Sequence, residues 1–316
     1  TVRPGDTLIG LQTIYLISGD SWAQVQAINQ VANPRRMPIG LLLRIPRRLL
    51  RGVPIEANVF AFRGGVMIGG KGGGRAARTG LAVGEGDSIS TAANAFVTVR
   101  LADGSRFSLP SNSRVGIRRL RRILLTGEVE RAFAVERGRG EWQVAPSPKR
   151  DPFTVTTPVA TAAVRGTEFR VEAGDGDQAD RASFGVVEGS VAVEATNGTG
   201  PLLAAGTGVA ASGTGVGEPV PLLPAPVPAD PDRVYRGDSV ALATAPVAGA
   251  RRYRFALSLD AEGQQMVASA DRDTPDADFQ DIANGRYFAR ASAIDGQNIE
   301  GFAATVSCHH LGATQG

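Results

Sequence analysis

The densest array of reactive side chains in this chain is the run Arg114, Arg118, Arg119, Arg121 and Arg122. Guanidinium forks pair bidentately with phosphate or carboxylate. On an extended strand Arg119 and Arg121 share one face, and Arg118 and Arg122 share the other. Arg118, Arg119, Arg121 and Arg122 are therefore a candidate site for an anionic partner: an acidic glycan, a lipopolysaccharide or an acidic protein face. A solvated face accounts for the run equally well. No stacking aromatics are interleaved in it, so a nucleic-acid partner is not expected. The histidines are confined to His309 and His310, beside Cys308. A Ser-His-Asp triad needs a histidine placed by the fold, and three adjacent ligands do not by themselves build a tetrahedral metal site. Asp175, Asp177 and Asp180 sit among Gly174 and Gly176, which suggests calcium. An EF-hand loop would have Glu where Val186 stands, and a polar hairpin turn is the simpler reading. Gly65 to Lys71 follows most of a phosphate-loop pattern, but the next residue is Gly72 where a magnesium-binding Ser or Thr belongs. No catalytic set, resident metal or cofactor is expected.

The elements that would hold these residues are mostly strands. The chain has 316 residues, 42% hydrophobic and only 6% aromatic, with 40 glycines. That length exceeds one ordinary core, and frequent glycine punctuation favours short strands over long helices. Charge is divided unevenly. Residues 1–150 carry 23 Lys+Arg against 10 Asp+Glu, and residues 151–316 carry 11 against 21. Such a dipolar chain can attract anionic polymers at one end or pack head to tail against its own copies. The single cysteine, Cys308, rules out an intrachain disulfide framework, so stability must come from buried cores. No apolar run approaches the roughly 20 residues of a membrane span. The expected location is the periplasm or cell surface, after removal of a signal peptide.

Residues 1–46 read as strand, helix, helix, strand. Asp6 or Thr7 caps a helix reaching about Tyr15. Ser21 caps a second from Trp22 to about Gln30, with Trp22, Val25 and Ile28 as its apolar face. Asn33-Pro34 stops it, and Leu41 to Ile45 is a short strand. The ordered residues Pro4-Gly5-Asp6-Thr7-Leu8, Tyr15-Leu16, Trp22, Ile28-Asn29, Asn33-Pro34, Ile39-Gly40 and Leu43-Arg44-Ile45-Pro46 resemble the LysM family. The resemblance implies a βααβ module that binds N-acetylglucosamine polymers such as peptidoglycan. It places the sugar groove between Gly5, Asp6, Thr7, Leu8 and Ile9 on one loop and Met37, Pro38, Ile39 and Gly40 on the other.

Residues 51–80, with Gly64-Gly65 and the glycines around Lys71, read as a Gly/Arg-rich linker. Residues 81–212 are β in pattern. Val99 to Arg106, Ser113-Arg114-Val115, Gly127-Glu128, Phe153 to Pro158, Ala163 to Phe169 and Val187 to Val191 resemble the FecR domain family. The family's namesake is a periplasmic signalling protein acting through a membrane span and a cytoplasmic tail. Neither is read in this chain, so the domain is expected without the iron-signalling role. Prolines at 219, 221, 224, 226 and 228 mark residues 213–228 as a second linker. Residues 229–308 are similar to fibronectin type III and other Ig-like sandwiches, with Tyr253 and Tyr287 facing inward, and 309–316 read as a tail. Together these features give a mainly β chain with a small helical module in front. Two expectations follow. One is a non-enzymatic envelope protein anchored on peptidoglycan, with β domains as an interaction platform. The other is a structural subunit of a ring or filament with head-to-tail contacts. A cell-wall hydrolase would need an acidic pair, a zinc site or a Cys-His pair, and none is legible.

Overall fold

A computed structural model describes residues 1–70, 72–147, 151–196, 198–231 and 233–312. Lys71, the terminal residue of the phosphate-loop-like pattern, lies outside them. Half of the chain is strand and 8% is helix, so the fold is mainly β.

The N-terminal unit holds α1 (Leu8–Tyr15) and α2 (Ser21–Asn29). Thr7 starts α1: its hydroxyl oxygen accepts the Gly10 N–H at 2.9 Å, satisfying one of the orphan donors of the first turn. Asp6 serves the turn before it, accepting the Arg3 N–H at 2.7 Å. In α2 the Ser21 hydroxyl bonds back to the Ile17 carbonyl and provides no cap. The buried face is Ser21 and Val25, one turn apart. Trp22 only borders the core, and Ile28 is 46% exposed. The apolar face therefore differs from the one read in sequence. Of the three residues read as that face, Val25 alone is buried. Asn29 closes the unit, donating to the Val25 and Arg44 carbonyls and accepting the Arg44 N–H.

The stretch 51–80, read above as a linker, is part of the central domain. Ala57–Arg63 pairs with Phe96–Leu101, and Val66–Gly69 pairs with Ser88–Thr91. Val59, Val66 and Ile68 bury themselves in the central core, which outweighs the flexibility of the neighbouring glycines. The second linker is likewise structured at its start. Gly215–Val216 and Val220–Pro221 pair with Thr207–Ser212, and Leu222 is buried.

The central strands wrap a single core as a flattened barrel of two layers. Val129–Gln143 belongs to both layers. Its first half pairs with Arg114–Ile123, and its second half pairs with Arg106–Leu109 and Glu168–Ala173. The change of layer falls at Gly138, with φ 71°. A Cβ there would lie 2.7 Å from the Asn112 carbonyl oxygen, so the crossing requires glycine. Phe107, Phe133, Trp142, Phe153 and Phe169 fill the middle, with neighbouring ring centroids 4.5–6.2 Å apart.

The C-terminal unit is a sandwich. Its five-stranded sheet runs Val234–Arg236, Glu300–Leu311, Gly285–Ile294, Arg252–Ser258, Met266–Arg272, and a second pair joins Ser239–Ala243 to Asp276–Gln280. Tyr253 and Tyr287 are buried, and their hydroxyls are bonded to Val247 and Ala283. The last strand extends into the residues read as a tail. Cys308 and His310 are buried, and the His310 ring bonds the carbonyls of Ala283 and Gly237. Residues 313–316 lie outside the described chain.

Candidate functional site

Backbone hydrogen bonds set the two loops expected to form the glycan groove side by side. The Leu8 N–H donates to the Pro34 carbonyl, Val2 to Leu41, and Gly40 to Val2, each at 2.9 Å. Gly5 and Gly40 take positive φ at 84° and 85°, which holds both loops in tight turns. Gly5, Ile9, Pro38, Ile39 and Gly40 are exposed, with Ile39 71% exposed. Leu8 and Met37, expected at the groove, turn instead into the module's core. Both side chains are buried there, so neither is open to a ligand on the surface. Asp6 and Thr7 are half-buried and already engaged by the turn and the cap.

The arginine run is not a bare cationic row. Arg119 and Arg121 lie together on Glu130, at 3.4 and 2.8 Å, and Arg47 reaches the same carboxylate at 3.4 Å. Burial raises the Glu130 carboxyl's pKa, but the hydrogen bond and charge of Arg121, with Arg119, outweigh it and hold the group low. Arg118 does not join Arg122. The pairing register slips between Ala132 and Phe133, leaving Arg118 as the bulged residue. It shares Glu136 with Arg114, at 2.9 and 2.8 Å. The Arg122 guanidinium donates to the Gly127 carbonyl. Asp175, one of the acids considered for calcium, caps a short turn and pairs with Arg137.

A second constellation lies between the central and C-terminal domains, at the floor of a cleft of about 1290 Å3. Arg139 meets Glu300 at 2.5 Å, and Arg254 meets Glu300 at 2.5 Å and Asp271 at 2.6 Å. Arg290 meets Glu141 at 2.6 Å, and Arg170 lies 3.5 Å from both Glu141 and Glu300. Burial alone would raise both carboxyls. The surrounding guanidiniums outweigh it, holding Glu141 down at about 2 and Glu300 well below the usual range. Burial lowers Arg139 to about 10 against the pull of Glu300. Uncharged contacts reinforce the junction: Ser183 donates to the Asn298 carbonyl at 2.7 Å and Thr98 to the Gln264 carbonyl at 2.9 Å. A Cβ on Gly208 would stand 2.5 Å from the Ile299 methyl, so the Ile299 side chain packs directly on the glycine backbone.

None of these charges was singled out from sequence. A signal was present: Arg139 and Glu141, Glu168, Arg170 and Glu172, and Arg252 and Arg254 alternate with buried neighbours such as Trp142, Phe169, Val171, Tyr253 and Phe255. Period-two charge of this kind normally marks a solvent face. Here two such faces, one from each domain, are turned toward each other.

Comparison with known proteins gives a partial match. No curated protein matches the chain. Among solved structures, the chain is similar to one described as an anti-sigma factor from Parabacteroides distasonis, at 23% identity and a TM-score of 0.35. The match covers 42% of this chain and 57% of that one. It is also similar to the fibronectin(III)-like modules of Clostridium thermocellum CbhA, at 13% identity and a TM-score of 0.24, over 58% of this chain and 91% of that one. No helix among the described residues is long and apolar enough to cross a membrane. The firmest assignment is to the central domain: residues 87–192 match the family model described as FecR protein.

Proposed function

We propose that this chain is a non-enzymatic envelope protein whose N-terminal module grips peptidoglycan, an N-acetylglucosamine polymer. Its two β domains form a fixed platform for other envelope proteins. The observation that carries this reading is the pair of loops at Gly5–Ile9 and Pro38–Gly40. They are held side by side by backbone hydrogen bonds, and they expose Ile9, Pro38 and Ile39 where apolar sugar faces would lie. The module is also fixed to the platform. Ile123 of the central domain enters its core, and the Arg51 N–H donates to the Tyr15 carbonyl at 2.7 Å. The match of residues 87–192 to FecR protein supports an envelope or signalling setting.

The test is co-sedimentation with purified peptidoglycan, comparing the natural chain with an Ile9→Asn, Ile39→Asn variant. Both side chains are exposed, so the fold should survive, and retained melting checks this. Sedimentation is expected to drop about tenfold, the effect of losing roughly 1.4 kcal/mol of contact. Unchanged sedimentation places the glycan contact elsewhere.

The charge division favours a second reading, a subunit that assembles head to tail. Charge steers such contacts, and salt screens them over about 8–10 Å. Oligomers would then form at low salt and dissociate as salt rises. A single monomeric species at every salt concentration in sedimentation velocity removes this reading.

A further inference from the structure

We infer that the N-terminal groove selects acidic glycans over neutral ones, and that Arg3, Arg35 and Arg36 make the choice. This rests on the glycan reading above and names the ligand's charge class.

Arg3 opens the first loop, and Arg35 and Arg36 open the second. The two loops are joined directly, since Leu8 bonds to Pro34 and Gly40 to Val2. All three arginines are exposed, and their side chains have no hydrogen-bond or ion-pair partner among the described residues. That distinguishes them from the arginine run of the central domain, where Glu130 and Glu136 take up the charge. The acids of residues 1–46 are Asp6 and Asp20. Asp6 accepts the Arg3 backbone N–H and keeps its charge on the first loop, one carboxylate against three guanidiniums, and Asp20 immediately precedes α2 on the far side of α1 in sequence. The two loops thus carry exposed apolar side chains, Ile9 and Ile39, and three unpaired guanidiniums that outnumber the one carboxylate, Asp6. Sugar rings present apolar faces, and carboxylate substituents on a glycan present the fork-shaped acceptors that guanidinium groups match. A polymer of neutral N-acetylglucosamine uses only the first feature. One whose alternate sugars bear carboxylates or carboxylate-ended peptides uses both.

The experiment uses the full chain and three insoluble probes: peptidoglycan, the same peptidoglycan with its carboxyls amidated, and neutral chitin. Two variants accompany it. R3Q/R35Q/R36Q removes the proposed readers, and R63Q/R78Q/R236Q removes the same charge from exposed positions elsewhere. Intact peptidoglycan is expected to bind about tenfold more tightly than the amidated form or chitin, the combined effect of a few exposed guanidinium–carboxylate contacts. The first variant should bring intact peptidoglycan down to the amidated level and leave chitin binding unchanged. The second variant should behave as the natural chain. Equal binding of all three probes overturns the inference and leaves the glycan reading standing. Equal loss in both variants also overturns it, because net charge alone would then be responsible. Binding to none of the probes overturns the glycan reading itself.

Discussion

At the first junction of the molecule Ile123 leaves the central sheet and enters the helical module's core beside Leu16, Leu49 and Leu50. At the second, Arg139, Arg170, Arg254 and Arg290 meet Glu141 and Glu300 between two facing sheets. Both fix one domain against another, but their physics differs. An apolar contact loses stability in proportion to the surface removed. A buried ionic cluster is near balance when complete, and removing one member leaves uncompensated charge in a desolvated place. The apolar junction should therefore weaken gradually under mutation, and the ionic one abruptly.

The sharpest way to break that contrast is Glu300→Gln. It takes the carboxylate from Arg139 and Arg254 together, and a loss of about 3–5 kcal/mol is expected. In denaturant unfolding the C-terminal domain should separate as its own transition. A single unshifted transition would show that the cluster contributes nothing to the joint. Ile123→Ala probes the other side, with an expected loss of about 2–5 kcal/mol for a buried aliphatic truncated to alanine. Hydrogen exchange should report it in residues 8–29, with the C-terminal sandwich unaffected.

Acid distinguishes the junctions without mutation. Glu141 sits at about 2 when folded and near 4.5 when unfolded. Its contribution is complete above the ordinary carboxylate range and is lost as pH falls through that range toward 2. Glu300 shifts in the same direction. The second junction should therefore loosen between about pH 4.5 and 2, while at the first only the pairs of Arg47 with Glu128 and Glu130 titrate and the Ile123 contact should persist. Simultaneous opening of both in an acid series followed by regional hydrogen exchange contradicts this. Smaller still is Thr7→Ala, which removes the α1 cap and should cost about 0.5–2 kcal/mol, confined to the helical module. Arg118→Gln, at an exposed pair, should change stability by less than about 1 kcal/mol.

Some local signals carried from sequence to structure, though the Ser21 cap and the Trp22–Ile28 face did not. The Thr7 cap depends on a hydroxyl three residues before a free N–H, and Tyr253 and Tyr287 depend on strand alternation; both are short-range facts. What depended on distant partners was not legible. Nothing near Arg118 announces the bulge that takes it to Glu136, because register belongs to the pairing of two strands. The charges at 139, 141, 170, 254, 290 and 300 read as solvent faces, since each domain alone would leave them wet. The stretch 51–80 reads as a linker because its glycines are conspicuous, and the alternation of Val59, Val66 and Ile68 is interrupted by the turn at Gly64-Gly65. Leu8 and Met37, expected on the glycan loops, show the same limit: the direction of their side chains is set by the interior behind them.

The long strand Val129–Gln143 has a mechanical consequence. Near its start it lies against Arg114–Ile123, whose end is embedded in the helical module, and near its finish it carries Arg139 and Glu141 into the C-terminal joint. A pull between the N-terminal module and the last domain would load this segment. Its ladders on both sides would be loaded along the strand, in shear, so many backbone bonds would have to give way together.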